Sequence, residues 1–523
     1  MTRAQVHARR WRILGVLILA LFGVSLDNTI LTIALPTLSA DLHASASQLQ
    51  WMVDAYVLVF AGLLLVAGAL SDRYGRRLAL VSGLMLFGLG SAIAPLVGSA
   101  EQLIALRAFM GLGAALTMPA TLSILADVFP AHERPKAIAA WSAVSGLGMV
   151  AGPILGGWLL EHFPWAAVFV VNVPFVVLGI AATLAIVPES RSPERAPLDP
   201  VGALLSVAGL VSLVYGIIEV PAKGWSDPSI LGSLAAASVL LLAFVAWERR
   251  TAHPMLDVRL FRDRRFSAAS LSVTLTFFSL MGVLFLLTQY LQGVLGLSAL
   301  ETGVRFVPIA AGVIITAPIA AMLTARIGTR LVTAIGLLVV AAGVASLATL
   351  GVASSDLHVA GVLFVTAAGM GLAMTPATDA IMAALPEAQL GVGSAVNDTT
   401  REIGGALGVA VLGSLFAGTY AGHLTGAVAA LPASAADVVK ESLAGAAAVA
   451  QVVGGDAGAA LLAAARQAFV DGMSVTAVLG AGFAVAGAVV ALAFLPDRVT
   501  TPAKGGAAPV PGMAAAAVEQ AAA

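Results

Sequence analysis

Charged residues and cysteine are scarce in this chain of 523 residues. Only 11% of the residues are charged, whereas an ordinary globular domain has about 25%. Cysteine is absent, which excludes disulfides, thiol catalysis and cysteine-ligated zinc or iron–sulfur sites. No lysine follows a glycine-rich phosphate loop, so the chain by itself is not an ATP-driven pump. With 27 basic and 28 acidic residues, it has no net field that would recruit nucleic acid.

Apolar residues dominate instead. They make up 59% of the sequence, and the mean hydropathy is +0.98, which indicates that lipid is the solvent of the chain. Apolar runs near 20 residues predict fourteen transmembrane helices. These lie at about 13–36, 49–71, 78–98, 102–127, 136–161, 165–187, 201–219, 229–247, 266–292, 301–325, 330–350, 358–384, 394–420 and 471–495.

The basic residues of the loops predict the orientation. If the N-terminus lies inside, nearly all loop arginines fall on the inner side, and Lys223, Lys440 and Arg466 are left outside. We therefore expect both termini in the cytoplasm. The loops before residue 201 and after residue 247 are both basic, so an even number of helices, a hairpin, separates them. We expect this hairpin to lie at the periphery.

An internal repeat divides the chain. Asp72–Arg77 recurs as Ala325–Arg330, and Gly111–Ala115 recurs as Gly369–Ala373. This order predicts two parallel six-helix halves with a binding site near the midplane between them. The expected domains are a cytoplasmic arm (1–12), a first bundle (13–190), a central hairpin with linkers (191–255), a second bundle (256–497) with an external Ala-rich loop (421–469), and a disordered cytoplasmic tail (498–523).

Several short motifs follow one another in a fixed order. They are Leu26–Ile30, Ala34–Pro36, Gly68–Arg77, Arg107, Gly111, Gly113, Gly148, Gly152, Pro153, Gly156, Gly157 and Asn397–Gly408. In this order they resemble the major facilitator superfamily, and more narrowly its fourteen-helix drug:proton antiporter branch. The resemblance implies an all-α integral membrane protein with two six-helix bundles and a central two-helix insertion. It also implies proton-coupled efflux of hydrophobic or amphipathic drugs or antibiotics across the bacterial plasma membrane by alternating access.

Three ionisable residues fall within the outer half of the first bundle. Asp27, Asp54 and Arg107 all lie inside predicted spans, where a lone charge is costly and such groups face the interior and pair. A carboxylate next to an arginine can exchange a proton when its surroundings change. We therefore interpret them, with the neighbouring Asn28, as the proton and substrate site. A permanent structural ion pair is the alternative. Asp27 is also the first-helix acid of the family that the chain resembles.

The loop after the second helix combines glycines with charges. Such a cluster can latch the two halves together on the cytoplasmic side, while plain positive-inside anchoring is the alternative. The resemblance implies that Asp127 is the partner of Arg76. The latch candidates are Gly68, Asp72, Arg73, Gly75, Arg76 and Asp127.

Two further groups complete the candidates. Small residues at helical spacing give the fifth helix a packing face, which the family uses to control leak and antiport direction: Gly148, Gly152, Pro153, Gly156 and Gly157. Polar residues near the expected cytoplasmic side of the second half serve either as a gate or as structural pairs: Asp379, Asn397, Asp398, Arg401 and Glu402.

The expected function is therefore transport and not catalysis. We expect a monomer that binds small hydrophobic or amphipathic substrates and protons in the bilayer, with no metal, no organic cofactor and no nucleic acid. The proton gradient is the expected driving force. A dedicated exporter of an endogenous metabolite, or a proton-coupled uptake carrier on the same fold, is the alternative. A membrane-embedded enzyme would need clustered catalytic residues, whereas the histidines are scattered over loops and helix ends.

Overall fold

The computed structural model describes residues 3–42, 44, 46–191, 199–252, 254, 256–385 and 389–496, and within them it is helical, without β-strands. The first nine α-helices are α1 (Arg3–Asp41), α2 (Ala46–Tyr74), α3 (Arg76–Ile93), α4 (Ala100–Val128), α5 (Arg134–His162), α6 (Ala167–Val170), α7 (Asn172–Ile186), α8 (Pro200–Lys223) and α9 (Pro228–Glu248). The other nine are α10 (Arg264–Gln289), α11 (Ala299–Arg305), α12 (Val307–Ile327), α13 (Thr329–Ser346), α14 (Asp356–Ala383), α15 (Leu390–His423), α16 (Ala433–Glu441), α17 (Leu443–Val453) and α18 (Gly455–Phe494).

The number of spans agrees with the sequence. Among the described residues, thirteen helical stretches are long and apolar enough to cross a membrane. The helix α5, with 29 residues, corresponds to the one remaining predicted span, 136–161. Two predicted spans consist of two helices each, α6 with α7 and α11 with α12. The chain is thus a multi-pass membrane protein of two six-helix bundles and a central hairpin. The exact domain boundaries stay a prediction, and residues 192–198 and the tail from 497 onward lie outside the described residues.

Short polar side chains mark where many of the helices begin. The side chain of Asp199 accepts a hydrogen bond from the Gly202 amide at the start of α8, and Ser298 forms a capping box with Glu301 at the start of α11. Such caps satisfy amides that have no partner within the helix. They explain why the helices begin at the polar residues that flank the apolar runs.

The segment at 421–469 is more ordered than its expected loop. It contains α16, α17 and the first turns of α18, which begins at Gly455 and not near residue 471. The segment is rich in alanine, the best helix former, but none of its apolar runs is long enough to predict a transmembrane span. Gly454 and Gly455, with φ of 65° and 56°, provide the turn between α17 and α18.

Two glycine contacts show how the halves repeat. A Cβ on Gly113 of α4 would lie 2.7 Å from the carbonyl oxygen of Gly83 in α3, and one on Gly369 of α14 would lie 2.8 Å from that of Gly336 in α13. Gly113 therefore corresponds to Gly369, whereas the sequence pairing had matched Gly111 with Gly369. The structure confirms the repeat and moves this motif by two residues.

The hairpin of α8 and α9 contacts both bundles. In α8, Val211 packs so closely on α2 that a Cβ on Gly62 would lie 2.6 Å from its Cγ2. Ile217 of α8 belongs to an apolar cluster with Ala410 of α15. The helix α9 presents side chains such as Leu242 outward, 69% exposed. The hairpin is peripheral on its α9 side only, because α8 packs against α2 and α15.

Glu219, near the end of α8, is only 7% exposed. Its Oε2 lies 3.0 Å from Nζ of Lys223, one turn further along the helix. Pairing with this cation allows the carboxylate to be buried at the side of the hairpin that faces the bundles.

Candidate functional site

A buried ion pair joins α1 and α4 inside the first bundle. Asp27 is 0% and Arg107 1% exposed. The Nη1 of Arg107 donates a hydrogen bond to Oδ2 of Asp27, and its Nε donates to the carbonyl oxygen of Met52 in α2 at 3.0 Å. The guanidinium also lies over the Tyr56 ring, 4.3 Å from the centroid. One arginine thus holds three helices around one carboxylate.

Asn172, the first residue of α7, completes the surroundings of Asp27. Its Nδ2 donates to Oδ1 of Asp27 at 2.8 Å and lies 3.5 Å from Oγ of Ser91 in α3. Both carboxylate oxygens therefore accept hydrogen bonds. The sequence analysis missed Asn172, Ser91 and Tyr56. The available signal was a buried amide in an otherwise apolar span, which is expensive in a membrane unless it has a polar partner.

Asp54, the third ionisable residue predicted for the site, is on the helix that supplies Met52. It lies in α2, two residues after Met52, and is half-buried, but Arg107 makes its contacts with Asp27, Met52 and Tyr56. The side chain of Asn28 lies outside the described part of the structure. Of the four residues predicted for the proton and substrate site, the structure brings together Asp27 and Arg107.

The predicted latch residues lie at a contact between the two bundles. Oδ1 of Asp72 accepts from Nε and Nη2 of Arg76 at 3.1 and 2.9 Å. Its Oδ2 accepts from the amides of Gly391 and Val392, at 2.7 and 3.1 Å. These are the first free amides of α15, so a carboxylate of the first bundle caps a helix of the second. Nη1 of Arg76 lies 3.7 Å from Oδ1 of Asp127, the partner that the resemblance implied.

Glycine makes this contact possible. A Cβ on Gly68 would lie 2.5 Å from the Gly391 carbonyl oxygen, so α2 and α15 touch backbone to backbone. Gly75, between α2 and α3, has φ of 129°, a conformation that favours glycine. The guanidinium of Arg73 lies 5.5 Å from the Tyr74 ring centroid. We call the end of the two bundles at which Gly75 and Gly391 lie the basic end.

A segment after α7 holds the latch from the other side. The backbone carbonyl oxygen of Ser190 accepts a hydrogen bond from the Arg76 amide at 2.8 Å, and Oε1 of Glu189 accepts one from the Arg77 amide at 3.2 Å. A Cβ on Gly75 would lie 2.5 Å from the same Glu189 oxygen. The sequence analysis missed Glu189. Its partner Arg77 is 112 residues away in sequence, so no local signal marked it.

The glycines of α5 face α1 beside Asp27. A Cβ on Gly148 would lie 2.7 Å from Cβ of Ser25, one on Gly152 2.0 Å from Oγ1 of Thr29, and one on Gly156 2.7 Å from Cγ1 of Ile30. Oγ1 of Thr29 also donates to the Gly148 carbonyl oxygen at 2.9 Å.

Two residues of the fifth-helix motif lie apart from this face. Gly157 faces Leu300 of α11 in the other bundle, and the side chain of Pro153 lies outside the described residues. The glycine face of α5 therefore fixes the part of α1 that carries Asp27, while Gly157 belongs to a contact between the bundles.

A second polar cluster lies in α14 and α15. Oγ1 of Thr378 donates to Oδ1 of Asn397, and Nδ2 of Asn397 donates to Oδ1 of Asp398, both at 3.3 Å. Nη1 of Arg401 lies 3.8 Å from the same Asp398 oxygen. Asn397 is 0% and Asp398 2% exposed. The cluster is therefore a buried chain of polar side chains.

The guanidinium of Arg401 reaches both bundles. It lies 4.7 Å from the ring centroid of Phe277 in α10 and 5.5 Å from that of Trp141 in α5. The indole Nε1 of Trp141 donates to Oγ1 of Thr121 in α4 at 3.1 Å. Arg401 thus joins the polar cluster of α15 to an aromatic residue of the first bundle.

The depth of this cluster corrects the sequence analysis. Asp398 lies eight residues after Leu390, the start of α15, or about 12 Å along the helix. It is not at the helix opening, because α15 begins before the predicted residue 394. Glu402 is half-buried near the charges of Arg401 and Asp398. Asp379, 4% exposed, lies in the fields of Arg134 and Arg265 near the basic end. Within the described ranges no group of three or more His or acidic residues could hold a metal ion.

The sequence of the chain matches one protein family over most of its length. The model of the Major Facilitator Superfamily matches residues 17–409. The chain belongs to this superfamily. It is 37% identical over 491 residues to the multidrug efflux pump LfrA of Mycolicibacterium smegmatis, covering 93% of this chain and 96% of that protein. To the methyl viologen resistance protein SmvA of Salmonella typhimurium it is 33% identical, covering 89% and 94%.

Two further proteins are similar to this chain. The tetracenomycin C resistance and export protein of Streptomyces glaucescens is 35% identical, with 79% of this chain and 77% of that protein covered. The crystal structure of the human organic anion transporter MFSD10 matches with a TM-score of 0.61 and 18% identity, covering 92% of this chain and 99% of that one. At that identity the match supports the fold alone.

Proposed function

We propose that this chain exports hydrophobic or amphipathic drugs or antibiotics across a bacterial plasma membrane in exchange for protons. The relatives named above are an efflux pump, a resistance protein and an export protein. The chain covers nine tenths or more of the efflux pump and of the methyl viologen resistance protein along their own length, so the comparison extends over the whole transport unit.

The observation that carries the proposal is the Asp27–Arg107 pair. In this proposal, the buried carboxylate of Asp27 is ionised with Arg107 in one state of the transporter and carries a proton in another. Protonation weakens the hydrogen bonds from Arg107 and Asn172, which join α1 to α4 and α7. Proton binding therefore changes how these helices are held together, which is the requirement for coupling a proton to a conformational change.

The latch supports alternating access. The contact of Asp72 with the start of α15 closes the basic end between the bundles. Rocking of one bundle against the other opens a path at this end only after these hydrogen bonds break. In this proposal, Gly68, Arg76 and Asp127 set the stability of the closed state. Asn397, Asp398 and Arg401 of the second bundle sense the position of the first bundle.

The same proposal includes the orientation and the partners. The basic end faces the cytoplasm, because arginine-rich loops stay on that side, and both termini lie there. The transporter works as a monomer without enzymatic activity. It uses no metal or organic cofactor, and the proton gradient drives it.

Inverted membrane vesicles test the proposal. The lumen is acidified, and uptake of a fluorescent lipophilic cation is measured for the wild type, for Asp27→Asn and for Asp356→Asn. Asp356 is an exposed acid that pairs with Arg305 at the start of α14, so its substitution controls for the loss of one carboxylate. We expect proton-driven uptake to collapse in Asp27→Asn and to persist in Asp356→Asn. Normal uptake by Asp27→Asn would remove this residue from the mechanism, and cation release on acidification would indicate an uptake carrier.

A further inference from the structure

Three arginines converge on one concavity at the basic end of the hairpin. Arg249 follows α9, and Arg259 and Arg262 lie on the short 3-10 turn Val258–Arg262 that precedes α10. Together with Val258 they line a cavity of about 360 Å³. The transport mechanism uses none of these residues, and a topological signal alone requires no convergence of side chains.

The acids near this cavity are already bound elsewhere. Oδ1 of Asp257 accepts from the Arg259 amide at 2.9 Å, and Oδ1 of Asp263 accepts from the Arg265 amide at 2.7 Å, so both cap helical turns. Oε2 of Glu248 accepts from the Leu256 amide at 3.3 Å. Among the described residues, no acid lies within salt-bridge distance of the guanidinium groups of Arg249, Arg259 or Arg262.

The cavity lies at the level of lipid headgroups. The helix α9 has 21 residues, about 31 Å at the usual helical rise, which matches the hydrocarbon thickness of a bilayer. Its last turn and the first turn of α10 therefore reach the same membrane boundary. Trp247 and Phe261 are 40% and 44% exposed there, as aromatic residues are at membrane interfaces.

We propose that this cavity binds the phosphodiester headgroup of an anionic phospholipid. Guanidinium groups bind phosphate oxygens in pairs with matched geometry, and basic pockets between membrane helices on the cytoplasmic side bind anionic headgroups. Phe261 projects from the same turn as Arg259 and Arg262 and can contact the acyl chains. Inorganic phosphate shares the headgroup chemistry but offers nothing to this apolar side chain.

Native mass spectrometry of the purified full-length protein tests this site. Phosphatidylglycerol and phosphatidylcholine are titrated against the wild type, Arg262→Gln and Arg326→Gln. Arg326, an exposed arginine in the last turn of α12 at the basic end, is the control for loss of one surface charge. We expect Arg262→Gln to weaken the tightest phosphatidylglycerol adduct about five-fold, the size of one arginine contact, and Arg326→Gln to leave it unchanged.

Further arms distinguish the sources and the type of contact. The double variant Arg259→Gln/Arg262→Gln should lose the adduct, and Arg262→Lys should keep only part of the affinity because it retains charge without the planar fork. Millimolar inorganic phosphate should not displace the lipid. Equal losses in Arg262→Gln and Arg326→Gln would reduce the site to diffuse charge, equal binding of phosphatidylcholine would exclude anionic recognition, and displacement by phosphate would assign the cavity to the free ion. Thermal unfolding of each variant shows that it is folded.

Discussion

The two bundles each bury an aspartate with an arginine, but they build the pair differently. Asp27 and Arg107 are 80 residues apart in sequence and join two helices directly. Asp398 and Arg401 lie three residues apart on one helix, and Nη1 of Arg401 is 3.8 Å from Oδ1 of Asp398. The first pair depends on how the helices pack, whereas the second can persist in any arrangement of the bundles because one helix carries both partners.

The difference shows which contact in each bundle can change when the conformation changes. In the first bundle this contact is the ion pair itself, which Asn172 and Met52 support through hydrogen bonds. In the second bundle it is the contact of Arg401 with Trp141, which comes from the other bundle. A contact changes populations only when it differs between states. The first bundle is therefore suited to sensing a proton, and the second to sensing the position of its partner.

The largest expected effect comes from breaking the first pair on its basic side. Arg107→Gln leaves a buried carboxylate without its cation, which costs about 3–5 kcal/mol. The thermal unfolding temperature of the protein in detergent should therefore fall sharply. Asp27→Asn/Arg107→Gln removes both charges and should recover much of that stability while transport stays absent. If the double variant is as unstable as Arg107→Gln, the charge pair is not the source of the loss.

The next largest effect is expected at the contact between the bundles. Asp72→Asn weakens the cap on α15 and the pair with Arg76 by about 1–2 kcal/mol, so the closed population at the basic end should fall by roughly 5- to 30-fold relative to the open one. Distances between spin labels on the two bundles measure this shift. Asp356→Asn is the control. Unchanged distances in Asp72→Asn would contradict the latch and leave positive-inside anchoring as the role of this loop.

A smaller effect is expected in the second bundle. Trp141→Phe keeps a ring for Arg401 but loses the hydrogen bond to Thr121, worth about 1 kcal/mol, so transport should decrease only modestly. Trp141→Leu removes the ring as well and should slow transport further while proton binding at Asp27 persists. Equal transport by the Phe and Leu variants would exclude the ring as the contact that matters.

The smallest effect should come from a half-buried pair between α1 and the start of α5. Nε of Arg10 donates to Oε2 of Glu133 at 2.5 Å, and this hydrogen bond lowers the pKa of Glu133. A lowered pKa adds stability above the pKa of the unfolded chain, and this stability is lost as the pH falls through the folded value. The wild type should therefore lose stability on acidification slightly more than Glu133→Gln, with equal transport at neutral pH. Unfolding curves across the acid range measure the difference, and parallel curves would contradict it.

Hydropathy predicted the spans well because burial in lipid demands long apolar runs. It placed Asp27 and Arg107 in one bundle, but it did not mark Asn172 of the same bundle as a site residue, since one amide hardly changes the average over a span. It also began the thirteenth helix too late. Gly391 and Val392 become the first turn of α15 because Asp72, 319 and 320 residues away in sequence, caps their amides. A partner so distant in sequence leaves no local signal, and the same applies to Glu189 at Gly75.

The cap on α15 has a consequence for hydration. When the basic end opens, the hydrogen bonds between the Asp72 carboxylate and the amides of Gly391 and Val392 break, and water must replace them. The backbone contact of Gly68 with Gly391 excludes water in the closed state. Opening therefore takes up water, and the balance of the two states depends on water activity as well as on pH. Osmolytes that are excluded from protein surfaces would hold this end of the transporter shut.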